Sequence, residues 1–243
     1  MGKRLRLGPL PLGVASRRPG PSARSRPTTR LGGRLRPVLL VHGILGQRHL
    51  YWNLFRKRLQ ADGFVVHEVS LPYVLLGDIR QAANALSEAV EDLRKEQPGA
   101  RRIDIVAHSA GGLVARYYVQ SLGGHKRVAN LILLGTPHRG TLTAYLLPVL
   151  RVAMQTAPGS SLLGELDRRP PPAKVRITNF WSPFDGIVVP AENSILSVPG
   201  VRNVRLARMH HWGFLVSNTV CDQVMRVLRA PPGARGERRR PTS

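Results

Sequence analysis

A mostly parallel β-sheet of about six strands, flanked by helices on both faces, is the α/β fold class the sequence predicts. Two observations lead there. From Pro37 onward, short apolar runs alternate with stretches of helical periodicity, the rhythm of βα units. Most of those runs are nearly unbroken Val, Ile and Leu, as strands covered on both faces require. In chain order the strands are expected at Pro37–His42, Phe64–Ser70, Arg102–Ala107, Val128–Gly135, Val175–Trp181 and Asn203–Ala207. Helices are expected near Tyr51–Ala61, Asp78–Glu96, Gly111–Leu122 and Gly213–Leu228. No internal repeat breaks this alternation.

The flanks read differently. Residues 1–36 hold ten Lys or Arg and no acid, mixed with Pro, Gly and Ser and without periodicity, so they cannot bury enough surface to offset the entropy of ordering. Residues 229–243 hold five Arg and one Glu. The expected organisation is therefore a disordered basic leader (1–36), one α/β domain (37–228) and a disordered basic tail (229–243). The tails carry most of the formal net charge of +23. Arg outnumbers Lys 32 to 5, as GC-rich codon usage would also produce, so charge alone does not assign a nucleic-acid role. No zinc-finger, helix-turn-helix or RNP-type signature accompanies it, and no specific nucleic-acid partner is expected. The basic tails are the expected route to an anionic membrane surface. The single Cys221 excludes an internal disulfide and a Cys-based zinc site, and no run approaches the roughly 18 unbroken apolar residues of a membrane span. Pro19, Gly20 and Pro21 stand where an export signal after Arg17-Arg18 would need its apolar stretch. A monomer, cytoplasmic or peripheral on a membrane, is expected, with secretion requiring a different start.

The chemistry centres on "RIDIVAHSAGG" at Arg102–Gly112, where a buried strand runs into a helix through Ala107-His108-Ser109-Ala110-Gly111. This is a nucleophile elbow, a turn so tight that small residues must flank the nucleophile. Ala107 replaces the usual first Gly and is the least bulky substitute. A plain helix N-cap is the competing reading of Ser109. Upstream, "PVLLVHGILG" puts His42-Gly43 just past the first strand, so the N–H of Ile44, with that of Ala110, is expected to face developing oxyanion charge. His42 is expected to brace this loop.

A serine needs a base and an orienting carboxylate. Asp185, in "ITNFWSPFDGIVVP", directly follows a strand and is the expected acid; Glu165, Asp167 and Glu192 do not. His210 and His211, just past the last strand, are the base candidates. His138 is expected beside the site. No His pair with a carboxylate at metal-binding spacing occurs, so no metal and no cofactor are expected.

With "VHGILG", "AHSAGGLVARYY", "LILLGTPHRGT", "FDGIVVP" and "HHWGFLVS" in place, the chain resembles bacterial-type lipases and esterases of the α/β-hydrolase superfamily, near the small members without a large lid. The resemblance spans residues 37–228. It implies an α/β-hydrolase fold, hydrolysis of lipid-like carboxylic esters through an acyl-Ser109 intermediate, and a Ser109–Asp185–His211 triad. Its His-x-Gly-x-Leu pattern favours His211 over His210. Leu45, Leu142 and Leu146 are the expected substrate contacts, in apolar segments near the two loops. The stretch after "GTPHRGT" is too short for a separate lid domain, and Pro148 and Pro158 interrupt any long covering helix. The alternatives are an acyltransferase on the same triad, and an inactive hydrolase scaffold that binds polyanions or membranes.

Overall fold

The computed structural model describes residues 35–44, 51–71 and 77–230. Six strands, β1 (Val38–Val41), β2 (Val66–Val69), β3 (Ile103–His108), β4 (Val128–Leu134), β5 (Arg176–Trp181) and β6 (Arg202–Arg205), form one sheet in the order β2-β1-β3-β4-β5-β6. Every neighbouring pair is parallel, as expected. The helices are α1 (Asn53–Ala61), α2 (Ile79–Glu96), α3 (Ala110–Ser121), α4 (Arg151–Gln155), α5 (Ser161–Arg168), α6 (Gly213–Val216) and α7 (Asn218–Arg229).

The period-2 alternation of each strand divides the apolar residues between two cores. Leu39, Val41, Ile105, Ala107, Leu131 and Leu133 join Leu86 and Val90 of α2, Leu113 of α3 and Leu162 of α5. Val38, Leu40, Val106, Ile132, Leu134 and Phe180 join Phe55 and Leu59 of α1 and Val220 and Val224 of α7. Helix α2 buries Ile79, Ala82, Ala83, Leu86, Val90 and Leu93 along one stripe and is capped by Asp78, whose side chain accepts from the Arg80 N–H. Truncating Leu86, fully buried there, would cost about 2–5 kcal/mol.

The structure departs from expectation at the C-terminal helix and at Arg36. The C-terminal helix expected over Gly213–Leu228 is broken at Ser217, whose hydroxyl accepts from the Val220 N–H at 3.3 Å and caps a fresh helix, α7. A serine at that offset offers the backbone an alternative to continuing. The stretch after β4 contains α4 and α5, with Val152, Leu162, Leu163 and Leu166 buried in the core. Arg36, at the end of the expected leader, is itself buried and reaches Asp104 with Nε at 2.9 and 3.0 Å. Residues 1–34 and 231–243, the bulk of the expected leader and tail, lie outside the described residues. Among the described residues no helix is long and apolar enough to cross a membrane.

Chain order reverses across β1. From β1 the chain goes out to β2 and returns to β3 on the other side, so the carboxyl ends of β1 and β3 flank a topological switch point. Open α/β sheets offer a crevice there. His42-Gly43 follows β1 and Ser109 follows β3.

Candidate active site

Ser109 has φ 56° and ψ −134° and is the one non-glycine residue at positive φ among the described residues. It occupies the N-cap position of α3 but makes no capping bond, whereas Ser160 and Ser217 cap their helices. The capping reading therefore fails, and a strained backbone worth about 1–3 kcal/mol holds a hydroxyl not used by the helix. The Ser109 N–H donates to the Leu134 carbonyl at 2.9 Å, fixing the turn to the end of β4. Ala107 is fully buried, so Ala in place of Gly is accommodated.

The loop after β1 lies against this turn. A Cβ on Gly43 would come 2.7 Å from the Cβ of Ser109, and one on Gly111 would come 2.3 Å from the His42 carbonyl oxygen. Glycine is needed at both because the two backbones touch. His42 braces the loop, as expected. Its Nε2 accepts from the Leu71 N–H at 3.1 Å, so Nδ1 carries the proton and donates to the Gly43 carbonyl at 2.8 Å. Burial lowers its pKa, which keeps that tautomer neutral.

Asp185 and His211 are brought together by the loops that follow β5 and β6. His211 Nδ1 lies 2.9 Å from Oδ1 and 3.0 Å from Oδ2 of Asp185, with both side chains buried. The His211 N–H also donates to the Asp185 carbonyl at 2.9 Å. Oδ1 accepts from the N–H groups of Ile187 (3.0 Å) and Val188 (2.8 Å), so the carboxylate is oriented before it meets the ring. With Nδ1 on the carboxylate, Nε2 is left for other chemistry. His210 is exposed and its ring makes no hydrogen bond among the described residues, in contrast to His211.

A second histidine ties the loops together. His108 Nε2 lies 2.9 Å from the His211 carbonyl, an acceptor only, so Nε2 carries the proton. Nδ1 then accepts from the Tyr51 hydroxyl at 2.6 Å, and that oxygen accepts from the Gly43 N–H at 3.2 Å. Burial, then the proximity of His211, hold the His108 pKa well below its ordinary value. Burial likewise raises that of Tyr51. The chain Gly43–Tyr51–His108–His211 thus links the β1 loop, the elbow and the base loop through neutral groups. Trp212 stands edge-on to Tyr51 and His211, with ring centroids 5.8 and 5.9 Å away.

Ile44 and Ala110 sit on the two touching loops, and among the described residues neither N–H donates to another backbone group. Leu45 lies outside the described residues. Leu142 and Leu146 are 51% and 78% exposed on a 3-10 turn held to the acid loop. There the hydroxyls of Thr141 and Thr143 donate to the Ile187 carbonyl at 2.7 and 2.8 Å. Tyr145, Val149, Phe184 and Ile187 are exposed as well. His138 is buried, where Nδ1 accepts from Arg116 and Nε2 donates to Asn179, each at 3.1 Å, so neither ring nitrogen is left to meet a substrate. Of the rejected acids, Glu165 pairs with Arg80 and Asp167 faces Arg116. Sequence reasoning missed Tyr51, whose only local signal is its place beside Trp52. It also missed Ser182, whose buried hydroxyl accepts from the N–H groups of Phe184 and Met209 at 3.1 Å, joining the acid loop to the base loop.

The comparisons agree with this architecture. A family model described as palmitoyl protein thioesterase matches residues 37–184. A triacylglycerol lipase of Pseudarthrobacter phenanthrenivorans is 31% identical over 113 residues, covering 43% of this chain and 34% of that protein. The chain spans about a third of the length of the curated relatives it matches. Among solved structures, a Bacillus licheniformis lipase in mature form superposes with TM-score 0.69 at 17% identity, over 84% of this chain and 97% of that one. Lipase B of Aspergillus fumigatus gives 0.70 at 21%, over 86% and 55%. At those identities the likeness shows the fold, which is that of α/β-hydrolases.

Proposed function

The chain belongs to the palmitoyl protein thioesterase family, and from that membership we propose that it is a serine hydrolase cleaving acyl esters and thioesters of lipid-like chains. The observation that carries the proposal is a strained, uncapped Ser109 on the elbow, with the Asp185–His211 pair on the neighbouring loops at the same sheet edge. The triacylglycerol lipase relatives support the ester reading, and the family description supports thioesters. Both substrates pass through the same acyl-serine.

In the proposed mechanism, Ser109 Oγ attacks the acyl carbonyl as His211 Nε2 takes its proton. Asp185 holds the ring in the Nδ1–H tautomer and stabilises the imidazolium. The N–H groups of Ile44 and Ala110 receive the oxyanion, each such donor being worth about 3–4 kcal/mol of barrier. His211 then gives its proton to the departing alkoxide or thiolate, and later activates the water that releases the acid. No cofactor enters.

The exposed apolar strip formed by Leu142, Tyr145, Leu146 and Ile187 is the proposed acyl contact, since patches of this kind on a soluble surface mark binding sites. Helices α4 and α5, packed into the core, support a solvent-open cleft without a separate lid domain. The basic segments 1–34 and 231–243 are the proposed attachment to an anionic membrane surface. The test is turnover of p-nitrophenyl esters from short to long chain beside palmitoyl thioesters, each repeated with Ser109→Ala and with an added alcohol acceptor. Hydrolysis that rises with chain length and vanishes in the variant is expected. Equal turnover by the variant would overturn the proposal, and ester products from the alcohol would favour acyl transfer.

A further inference from the structure

The opposite edge of the sheet carries a cavity of about 980 Å3, at the upper end of the range of small-molecule sites. It opens where the strands begin: Arg36 precedes β1, Arg102 precedes β3, Arg176 opens β5 and Arg202 opens β6. A strand the length of β5 spans about 20 Å, so a molecule held here is remote from Ser109.

Its electrostatics are one-sided. Seven of the lining residues are Arg or Lys and none is Asp or Glu. Beneath the floor, three guanidiniums gather round the single carboxylate of Asp104. Arg36 bonds it directly, Arg176 Nε donates to Asn130 at 2.7 Å while Asn130 Nδ2 donates to Asp104 at 2.8 Å, and Arg102 donates to the Lys174 carbonyl at 2.9 Å. Burial, and then the neighbouring Arg36 charge, lowers the pKa of both Arg102 and Arg176, with the Asp104 carboxylate opposing each shift. At the rim, Arg101, Lys174, Arg202 and Arg226 are exposed, and none lies within 4.0 Å of a carboxylate among the described residues. The remaining walls are apolar, with Pro171, Pro172, Val201 and Val204 among them. The flanking segments carry a net positive charge of their own. Residues 1–34 hold nine Lys or Arg and no acid, residues 231–243 hold four Arg and one Glu, and both segments join the fold here, at Leu35 and at Ala230, which lines the cavity.

We propose that this cavity is a second binding site, for an amphiphilic phosphate ester whose charged phosphate meets the arginine forks while its apolar body lies against the proline and valine walls. Six of the seven cations are Arg, whose planar donors match phosphate oxygens two at a time. The apolar walls distinguish this ligand from a bare anion.

The test is calorimetric titration of the full chain with decyl phosphate below its micelle concentration, beside decylphosphocholine and inorganic phosphate. None of these has an acyl carbonyl for a serine to attack, so the result is independent of the proposed hydrolase activity. Saturable one-to-one binding of decyl phosphate is expected, weakened about tenfold or more in R202A/R226A and to the same degree in R101A/K174A. A terminal-segment variant, R238A/R239A, should keep wild-type affinity. Both ligand controls should bind about tenfold more weakly than decyl phosphate. Circular dichroism melts at the wild-type temperature show that loss of binding is not loss of fold. Equal affinity in wild type and both cavity variants, or loss in R238A/R239A, would overturn the assignment. So would inorganic phosphate binding as tightly as decyl phosphate. Monomeric ligand binding as vesicles of phosphatidate do identifies a lipid phosphate group as the source; binding to vesicles alone would mean surface attraction and overturn the site.

Discussion

At the carboxyl ends of β1, β3 and β5 the polar groups are neutral or held by matched partners, whereas at the amino ends of the same strands three guanidiniums gather near one buried carboxylate, which Arg36 bonds directly while Arg102 and Arg176 bond carbonyl and amide oxygens. The catalytic edge holds His42 and His108, each neutral and satisfied at both nitrogens, and Asp185, satisfied by two N–H groups and one imidazole. The opposite edge holds Arg36, Arg102 and Arg176 around Asp104, beside rim cations that meet no carboxylate among the described residues. The contrast fits the different role proposed for each edge. Neutral, fully bonded surroundings fix geometry, which the acid–base chemistry proposed for His211 requires. Uncompensated charge fixes little and instead seeks an ion from outside.

The largest expected effect lies at the catalytic edge. His211→Ala lowers kcat by about four orders of magnitude, while His210→Ala stays near wild type, measured on one soluble ester. Comparable losses in both would erase the matching on which the comparison rests. Tyr51→Phe is the finer cut. It removes the acceptor of the Gly43 N–H and the donor to His108 without touching the triad. A fall of about tenfold in kcat with KM unchanged is expected, the worth of roughly one buried hydrogen bond. A rise in KM alone would place Tyr51 in substrate binding instead.

How much of this was legible in the sequence divides along the same line. Ser109, Asp185 and His211 stand out because each lies within a few residues of a strand end, inside a contiguous motif. β1, β3 and β4 were readable from nearly unbroken apolar runs, while β2 (VHEV), β5 (RITNFW) and β6 (RNVR) mix in polar residues and were readable from the alternation of short strands with helical stretches. Tyr51 and Ser182 were not, because each acts on groups distant in sequence: Tyr51 on Gly43 and His108, Ser182 on Met209. The short helices α4 and α5 were hidden by Pro148 and Pro158, which break any long helical period. The arginine cavity was invisible for a related reason. Its cations come from the starts of four strands and from α7, and their common edge exists only once the sheet is assembled.

Acid stability measures the neutral side of the comparison. Burial lowers the pKa of His42, and lowers those of His108 and His138 well below their ordinary value, about 6.5. Between the folded pKa and 6.5 the unfolded chain binds more protons, so stability falls as pH drops below about 6.5. The limiting slope is about 1.4 kcal/mol per pH unit for each such histidine. Melting temperatures from pH 7.5 to 5.0 should show this decline, and His138→Gln, which removes one of the three, should flatten it. A flat wild-type profile would mean that the buried histidines are protonated in the fold. The smallest expected effect is at the opposite edge: R202A/R226A leaves turnover of a soluble ester unchanged, and a clear loss would show that the two edges are coupled.

The central claim is that the strained, uncapped Ser109 is a nucleophile activated by His211. Intact mass spectrometry of the protein treated with a fluorophosphonate tests it most directly. One stoichiometric adduct is expected, mapped by peptide digestion to Ser109, absent in Ser109→Ala and formed orders of magnitude more slowly in His211→Ala. An adduct on another residue, or labelling of Ser109→Ala at the wild-type rate, would contradict it.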